Sequence, residues 1–76
     1  MNKQHNLVLT KAQQRVYDLA ITGLSASEMA ITLHLSEASI KFHLANLRQK
    51  FEVNSTAALI ALHYMGKEAF WENRVH

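Results

Sequence analysis

Ser25–Phe51 reads SASEMAITLHLSEASIKFHLANLRQKF, and its punctuation is that of two short helices meeting at a tight turn. Ser25 carries the side-chain oxygen an N-cap needs, and Glu28, three residues on, completes a capping box. Leu24 and Met29 stand at the hydrophobic-staple positions around that start. The same grammar returns eleven residues later: Ser36 is the cap, and Leu35 and Ile40 take the staple positions. Two helix starts so close leave room only for a turn, with Ala30 and Ile40 as the residues that meet where the helices cross. That spacing is a helix-turn-helix arrangement.

Working outward, Thr10 and Gln13 form another capping box, and Ala12, Val16, Leu19 and Ala20 recur at helical spacing until Gly23 offers a C′ residue. The first helix is therefore read as Lys11 to Thr22, the second as Ala26 to Leu33, and the third as Glu37 to Lys50. The third buries Ile40, Leu44, Leu47 and Phe51 on one face. A fourth helix starts at Asn54 or Ser55 and runs through TAALIALHYM to Gly66. Residues 1–8 are read as an arm and residues 67–76 as a C-terminal extension, with the whole chain a single domain. No strand-period alternation, internal repeat or low-complexity stretch competes, and the fold class is all-α.

Composition narrows the function classes. Seventy-six residues form one small domain with little room for a catalytic cleft, and 49% hydrophobic against 18% charged residues excludes a disordered tail. The chain has no cysteine, so disulfides and thiolate metal sites are absent. His5, His34, His43, His63 and His76 show no metal-ligand spacing, no carboxylate or serine stands beside a base in a catalytic constellation, and the reading is of no enzyme, no cofactor and no metal. No targeting segment and no apolar run of about 18 residues is present, which points to a cytoplasmic protein without membrane contact.

The net charge of +2 is mild, but its placement is not. After Glu37 no acid occurs until Glu52, and Lys41, His43, Arg48 and Lys50 fall between them, which concentrates positive charge on the third helix. With Ile40, Leu44 and Leu47 inward, that helix turns Ser39, Lys41, Phe42, Ala45, Arg48 and Gln49 outward.

The fourth helix is apolar nearly all round. If Leu59, Ile60 and His63 face the core, then Ala58, Ala61, Leu62 and Met65 make an outward stripe at i, i+3, i+4, i+7 spacing, suited to packing on its own copy about a two-fold axis.

Leu9-Thr10, Gly23-Leu24-Ser25, Glu28-Met29-Ala30, Leu35-Ser36, Ile40-Lys41-Phe42-His43, Asn46 and Lys50-Phe51-x-Val53 together resemble the LuxR-type (GerE-type) helix-turn-helix domain of bacterial transcription regulators. The resemblance runs without a gap from Leu9 to about Met65. It implies a sequence-specific regulator whose third helix enters the major groove of double-stranded DNA, with Lys41, Phe42 and Ala45 toward base edges. Thr10, Lys11, Ser25 and Ser27 at helix starts, with His43 and Lys50, would then meet phosphates. A dimer would read two half-sites one helical turn apart.

The resemblance to the quorum-sensing branch lies in Phe42-His43 and Arg48-x-Lys50-Phe51, but no small-molecule domain stands in this chain, which suits a stand-alone regulator or an excised domain. The sequence departs from the family pattern at His34 in the interhelical turn, at Gln13 for an acid, at Thr56 for an arginine and at Ala45 for a base-reaching lysine. Ala45 and the mild charge also suit a competing function, an interaction module that pairs with full-length LuxR-type regulators and inhibits them. RNA polymerase is a further possible partner.

Overall fold

The computed structural model describes residues 8–66; the expected extension and all but Val8 of the expected arm lie outside the described residues. Four helices follow one another, α1 Lys11–Ala20, α2 Ala26–Leu33, α3 Glu37–Lys50 and α4 Thr56–Met65, with no strand among the described residues. Each begins on a hydroxyl. Thr10, Ser25, Ser36 and Ser55 accept the N–H three residues on, and at Thr10 and Ser25 the capping box closes through Gln13 and Glu28. The α2 and α3 limits coincide with those read from the sequence.

Three helix ends share one device. At each, the N–H of a residue in the left-handed region bonds three residues back and the next N–H bonds five back, the Schellman pattern. After α1 these bonds are Gly23 to Ala20 (3.0 Å) and Leu24 to Leu19 (3.4 Å), so α-helical bonding stops at Ala20 while Ile21 and Thr22 belong to the closing turn. After α2 they are His34 to Ile31 (3.4 Å) and Leu35 to Ala30 (3.0 Å). After α3 they are Glu52 to Gln49 (3.2 Å) and Val53 to Arg48 (2.9 Å). Gly23 adopts φ +94° freely, whereas His34 and Glu52 hold φ 58° and 59° against their Cβ atoms. Histidine does take the backbone conformation that glycine would occupy in the interhelical turn.

The core is nine buried apolar residues: Val16 and Ala20 from α1, Met29 from α2, Ile40, Leu44 and Leu47 from α3, Val53 from the loop, and Leu59 and Leu62 from α4. α3 lies at the centre, touching all three other helices. Phe51 is only half-buried, its ring stacked on Tyr17 at 5.4 Å. Burial of nine such side chains, at about 1.5–3 kcal/mol for each larger one, is what offsets the ordering of so short a chain.

The rotation of α4 differs from the sequence expectation. Leu62 is 3% exposed and packs in the protomer's own core, while His63 is exposed and Ile60 half-exposed. The inward face is Leu59 and Leu62, flanked by Ala58 and Ala61. Ala57, Ile60 and Tyr64 turn away from it. The reason is side-chain bonding to α1 and α3: Tyr17 Oη meets His63 Nδ1 at 2.9 Å, Tyr64 Oη donates to the Ile21 carbonyl at 2.6 Å, and Arg48 Nη1 donates to Thr56 Oγ1 at 3.3 Å. An outward Leu62 is thereby excluded, and of the expected stripe only Met65 is exposed.

Candidate nucleic-acid interface

The burial of Ile40 and Leu47 fixes which side of α3 can meet a partner. Lys41, Phe42, Ala45 and Gln49 all lie exposed on the opposite side. Phe42 is 63% exposed, so it does not belong to the core, and an aromatic ring held in water beside Ala45 is an apolar surface left uncovered among the described residues. Its neighbour His43 meets it edge-on at 5.8 Å. Lys41 lies 3.6 Å from Glu37, one turn back, in an ion pair with both side chains half-exposed or more. Such a pair is weak and easily exchanged for another anion.

Two of the six expected base readers stand on the flanks instead. Ser39 is half-buried and joined to its own cap, its N–H donating to Ser36 Oγ at 3.0 Å and its hydroxyl accepting from Ser36 Oγ at 3.1 Å. Arg48 is half-buried and reaches Thr56 at the start of α4. Helical geometry explains both positions, because residues 41 and 48 are two turns apart on one edge and residue 39 is on the other.

Of the expected phosphate contacts, Ser25 and Ser27 sit side by side at the start of α2, their hydroxyls 3.4 Å apart. Ser25 lines a groove of about 480 Å³ whose other walls include Lys41, Arg48 and Thr56. Thr10 and Lys11 stand at the start of α1. Lys11 shares a smaller groove, about 300 Å³, with Arg15, Leu33 and Leu35.

Lys50 takes a different place from the one expected. Its ammonium donates to the Val8 carbonyl at 2.7 Å and to Gln13 Oε1 at 3.2 Å, tying the end of α3 to the start of α1. In this conformation it serves the fold. His43 is half-buried and its Nδ1 is enclosed without a hydrogen-bond partner among the described residues, the position of a packing residue.

Sequence reading overlooked Arg15, which shares the smaller groove with Lys11, and named Gln13 and Thr56 without the partners they hold. Gln13 is buried at 8% exposure and accepts from both Thr10 N–H (3.0 Å) and Lys50, holding the place where the family pattern has an acid. The departures at Gln13 and Thr56 are thus met by local substitutes, a neutral acceptor for Lys50 and a hydroxyl acceptor for Arg48.

Electrostatics at the helix starts are uneven. The Glu28 carboxyl is held below its usual range by the hydrogen bond from the Ser25 N–H and by the Ser25 side chain. The Tyr17 phenol is pushed up by burial and by Asp18.

Four helices packed so that the second and third cross through a three-residue turn, with a lysine and an uncovered aromatic ring on the outer side of the third, define a helix-turn-helix domain. The chain belongs to the luxR family of bacterial regulatory proteins, whose family profile matches residues 7–63, and the family's function is DNA-binding transcription regulation. It is 31% identical over 65 residues to the spore germination protein GerE of Bacillus subtilis (strain 168), an overlap covering 84% of this chain and 88% of that protein. No solved structure gives a significant match. Among the described residues no helix is long and apolar enough to cross a membrane.

Proposed function

We propose that this regulator reads the major groove of a specific DNA site with α3, and that it does so as a homodimer. The observation that carries the reading is the exposed side of α3, where Lys41, Phe42, Ala45 and Gln49 stand together on a helix whose opposite side is fixed in the core. Lysine donates to guanine O6 and N7, glutamine can pair with adenine, and the Phe42 ring and Ala45 methyl suit thymine methyls. Thr10, Lys11, Ser25 and Ser27 supply positioning contacts to phosphates from two helix starts.

The dimer reading is supported by the outer face of α4. Ala57, Ile60 and Tyr64 stand at i, i+3, i+7 spacing and are exposed or half-exposed, with the half-buried Ala61 at their edge. A patch of small and apolar residues on one helix is self-complementary across a two-fold axis. One module of this size buries a small DNA interface, so joining two reading helices supplies affinity that one lacks.

Footprinting of the purified chain on a randomised duplex library at physiological salt tests the reading. A discrete protected sequence with two related half-sites is the expected result. Uniform weak protection of every sequence would instead favour the interaction module, and mixing with full-length family members would then show heteromeric pairing.

A further inference from the structure

The groove between α2, α3 and α4 holds two cations on its α3 side and has no carboxylate in its walls among the described residues. Lys41 and Arg48 line one side, two turns apart on α3; Ser25 and Ala26 begin α2 on another; Thr56 begins α4 at the end; and the buried side chains of Met29 and Leu44 lie beneath. We infer that this groove is a phosphoryl-anion site with Arg48 as its principal ligand, seating one backbone phosphate of the bound duplex and taking a free phosphate through the same contacts. The inference rests on the proposed reading that α3 faces DNA, and it moves Arg48 from base reading to phosphate binding.

Arg48 carries most of the argument. Its only hydrogen bond among the described residues is to a neutral hydroxyl, Thr56 Oγ1, which leaves the guanidinium charge without a carboxylate. That cation is half-buried in the last turn of α3, which its charge suits, and faces the N-terminal ends of α4 and, across the groove, α2, where an anion would be held. The fork of the guanidinium matches two phosphate oxygens, while Lys41, farther out on the same helix edge and paired with Glu37, stays available to a base.

The nearby acids leave Arg48 free. Glu28 accepts from the Ser25 N–H at 2.8 Å and is not part of the wall, and Glu37 meets Lys41 on an exposed edge at 3.6 Å. Because Ser25 and Ser55 cap only the third N–H of their helices, the N–H groups of Ala26 and Thr56 have no intrahelical partner and remain donors for a phosphate oxygen. The apolar floor keeps the site less hydrated than an open surface, which strengthens each of these contacts.

The test has two arms on the same protein. In the first, amide resonances are followed while inorganic phosphate, or pyrophosphate, replaces chloride at constant ionic strength. Saturable shifts at Ser25, Ala26 and Thr56 in the parent, lost in Arg48→Gln and kept in Arg48→Lys, are expected. In the second, each phosphate of the protected duplex is replaced singly by a neutral methylphosphonate. One replacement should weaken the parent about tenfold and leave Arg48→Gln no weaker than it already is.

Coupling in the duplex arm alone assigns the site to DNA phosphate, and shifts in the titration alone assign it to a free anion. Absence of both in the parent, a result that needs no variant to fold, overturns the site. If the parent binds no duplex, the functional reading fails by itself while the titration still decides whether the groove takes phosphate.

Discussion

α3 and α4 are neighbours of similar apolar content in the core, yet their orientations were set by different kinds of information. In α3 the charged and polar residues mark the outer side, so the hydrophobic pattern determines the rotation. In α4 apolar residues occupy every direction, and the rotation follows from particular bonds: Tyr17 with His63, Tyr64 with the Ile21 carbonyl, and Arg48 with Thr56. Amphipathicity tells a helix which way to face only when one side is unambiguously wet. Where it is not, a few polar contacts of modest energy select among several apolar faces, and those partners lie 8 to 46 residues away in the chain.

The sharpest test of that contrast is a carboxylate placed on each side of α4. Leu62→Glu puts an ionisable group into a position 3% exposed and removes a core leucine; the expected cost is about 4 kcal/mol or more, comparable to the entire stability of so small a domain. The variant should lose its helical circular dichroism and its cooperative thermal transition. Ile60→Glu, on the outer face, should stay folded with a melting temperature close to the parent's, and sedimentation should show a monomer where the parent is a dimer. A folded Leu62→Glu monomer would return Leu62 to the outer face. A parent that remains monomeric at high concentration would remove the dimer.

On α3 the contrast is between the two lysines. Lys41→Ala should lower discrimination at one base pair by about 1–3 kcal/mol without altering the melting temperature. Lys50→Ala should do the opposite, reducing stability by about 1 kcal/mol through loss of the bonds to Val8 and Gln13 while leaving the salt dependence of DNA binding unchanged. A salt slope that falls by about one unit in Lys50→Ala would identify it as a phosphate contact after all.

What the sequence made legible was local. The four caps, the α2 and α3 limits and the inward face of α3 follow from residues within one or two turns of each other, where capping chemistry and helical period act directly. The exposed side of α3 followed as the complement of that face, for Lys41, Phe42, Ala45 and Gln49. What escaped was non-local or lay at the edge of the pattern. Nothing in the spacing says that Gln13 will be buried to hold Lys50, that Arg48 will turn from the reading side to Thr56, or that Tyr17 and His63 will decide the roll of α4. The resemblance to known regulators pointed to positions 13 and 56 as departures, but only packing shows what replaced the missing groups.

The helix ends extend the comparison to smaller energies, since three of them use one backbone pattern with three different residues. His34→Gly relieves a left-handed histidine at the turn between α2 and α3, and Glu52→Gly does the same after α3. Each should stabilise by about 0.5–1 kcal/mol, the steric relief being partly offset by the greater freedom of glycine in the unfolded chain. Gly23→Ala should destabilise by a similar amount, although no atom stands within 4 Å of the added Cβ, because the strain is in φ and not in space. Thermal melts of the three variants would separate backbone strain from packing; a neutral Gly23→Ala would show that the end of α1 can reclose with another geometry.

The smallest effect separates the two capping boxes. α1 closes its box with neutral Gln13 and α2 with ionised Glu28, so only the second responds to acid. The Glu28 carboxyl is lowered first by the hydrogen bond from the Ser25 N–H, and a group whose folded value is depressed contributes stability that is present above its ordinary range near pH 4.5 and lost as pH falls through the folded value. Because Glu28 is fully exposed, solvent keeps the contribution small. Glu28→Gln retains a hydrogen-bonding side chain of the same length without the charge. The variant should match the parent in acid and fall slightly below it between pH 5 and 7, while Gln13 variants show no such dependence attributable to their own side chain. Amide exchange at the start of α2, followed from pH 3 to 7, is sensitive enough to read it. A Glu28 side-chain resonance that titrates with the midpoint of an unstructured peptide would mean that the box is open in solution, and that the Ser25 hydroxyl alone holds the start of the helix leading into the turn.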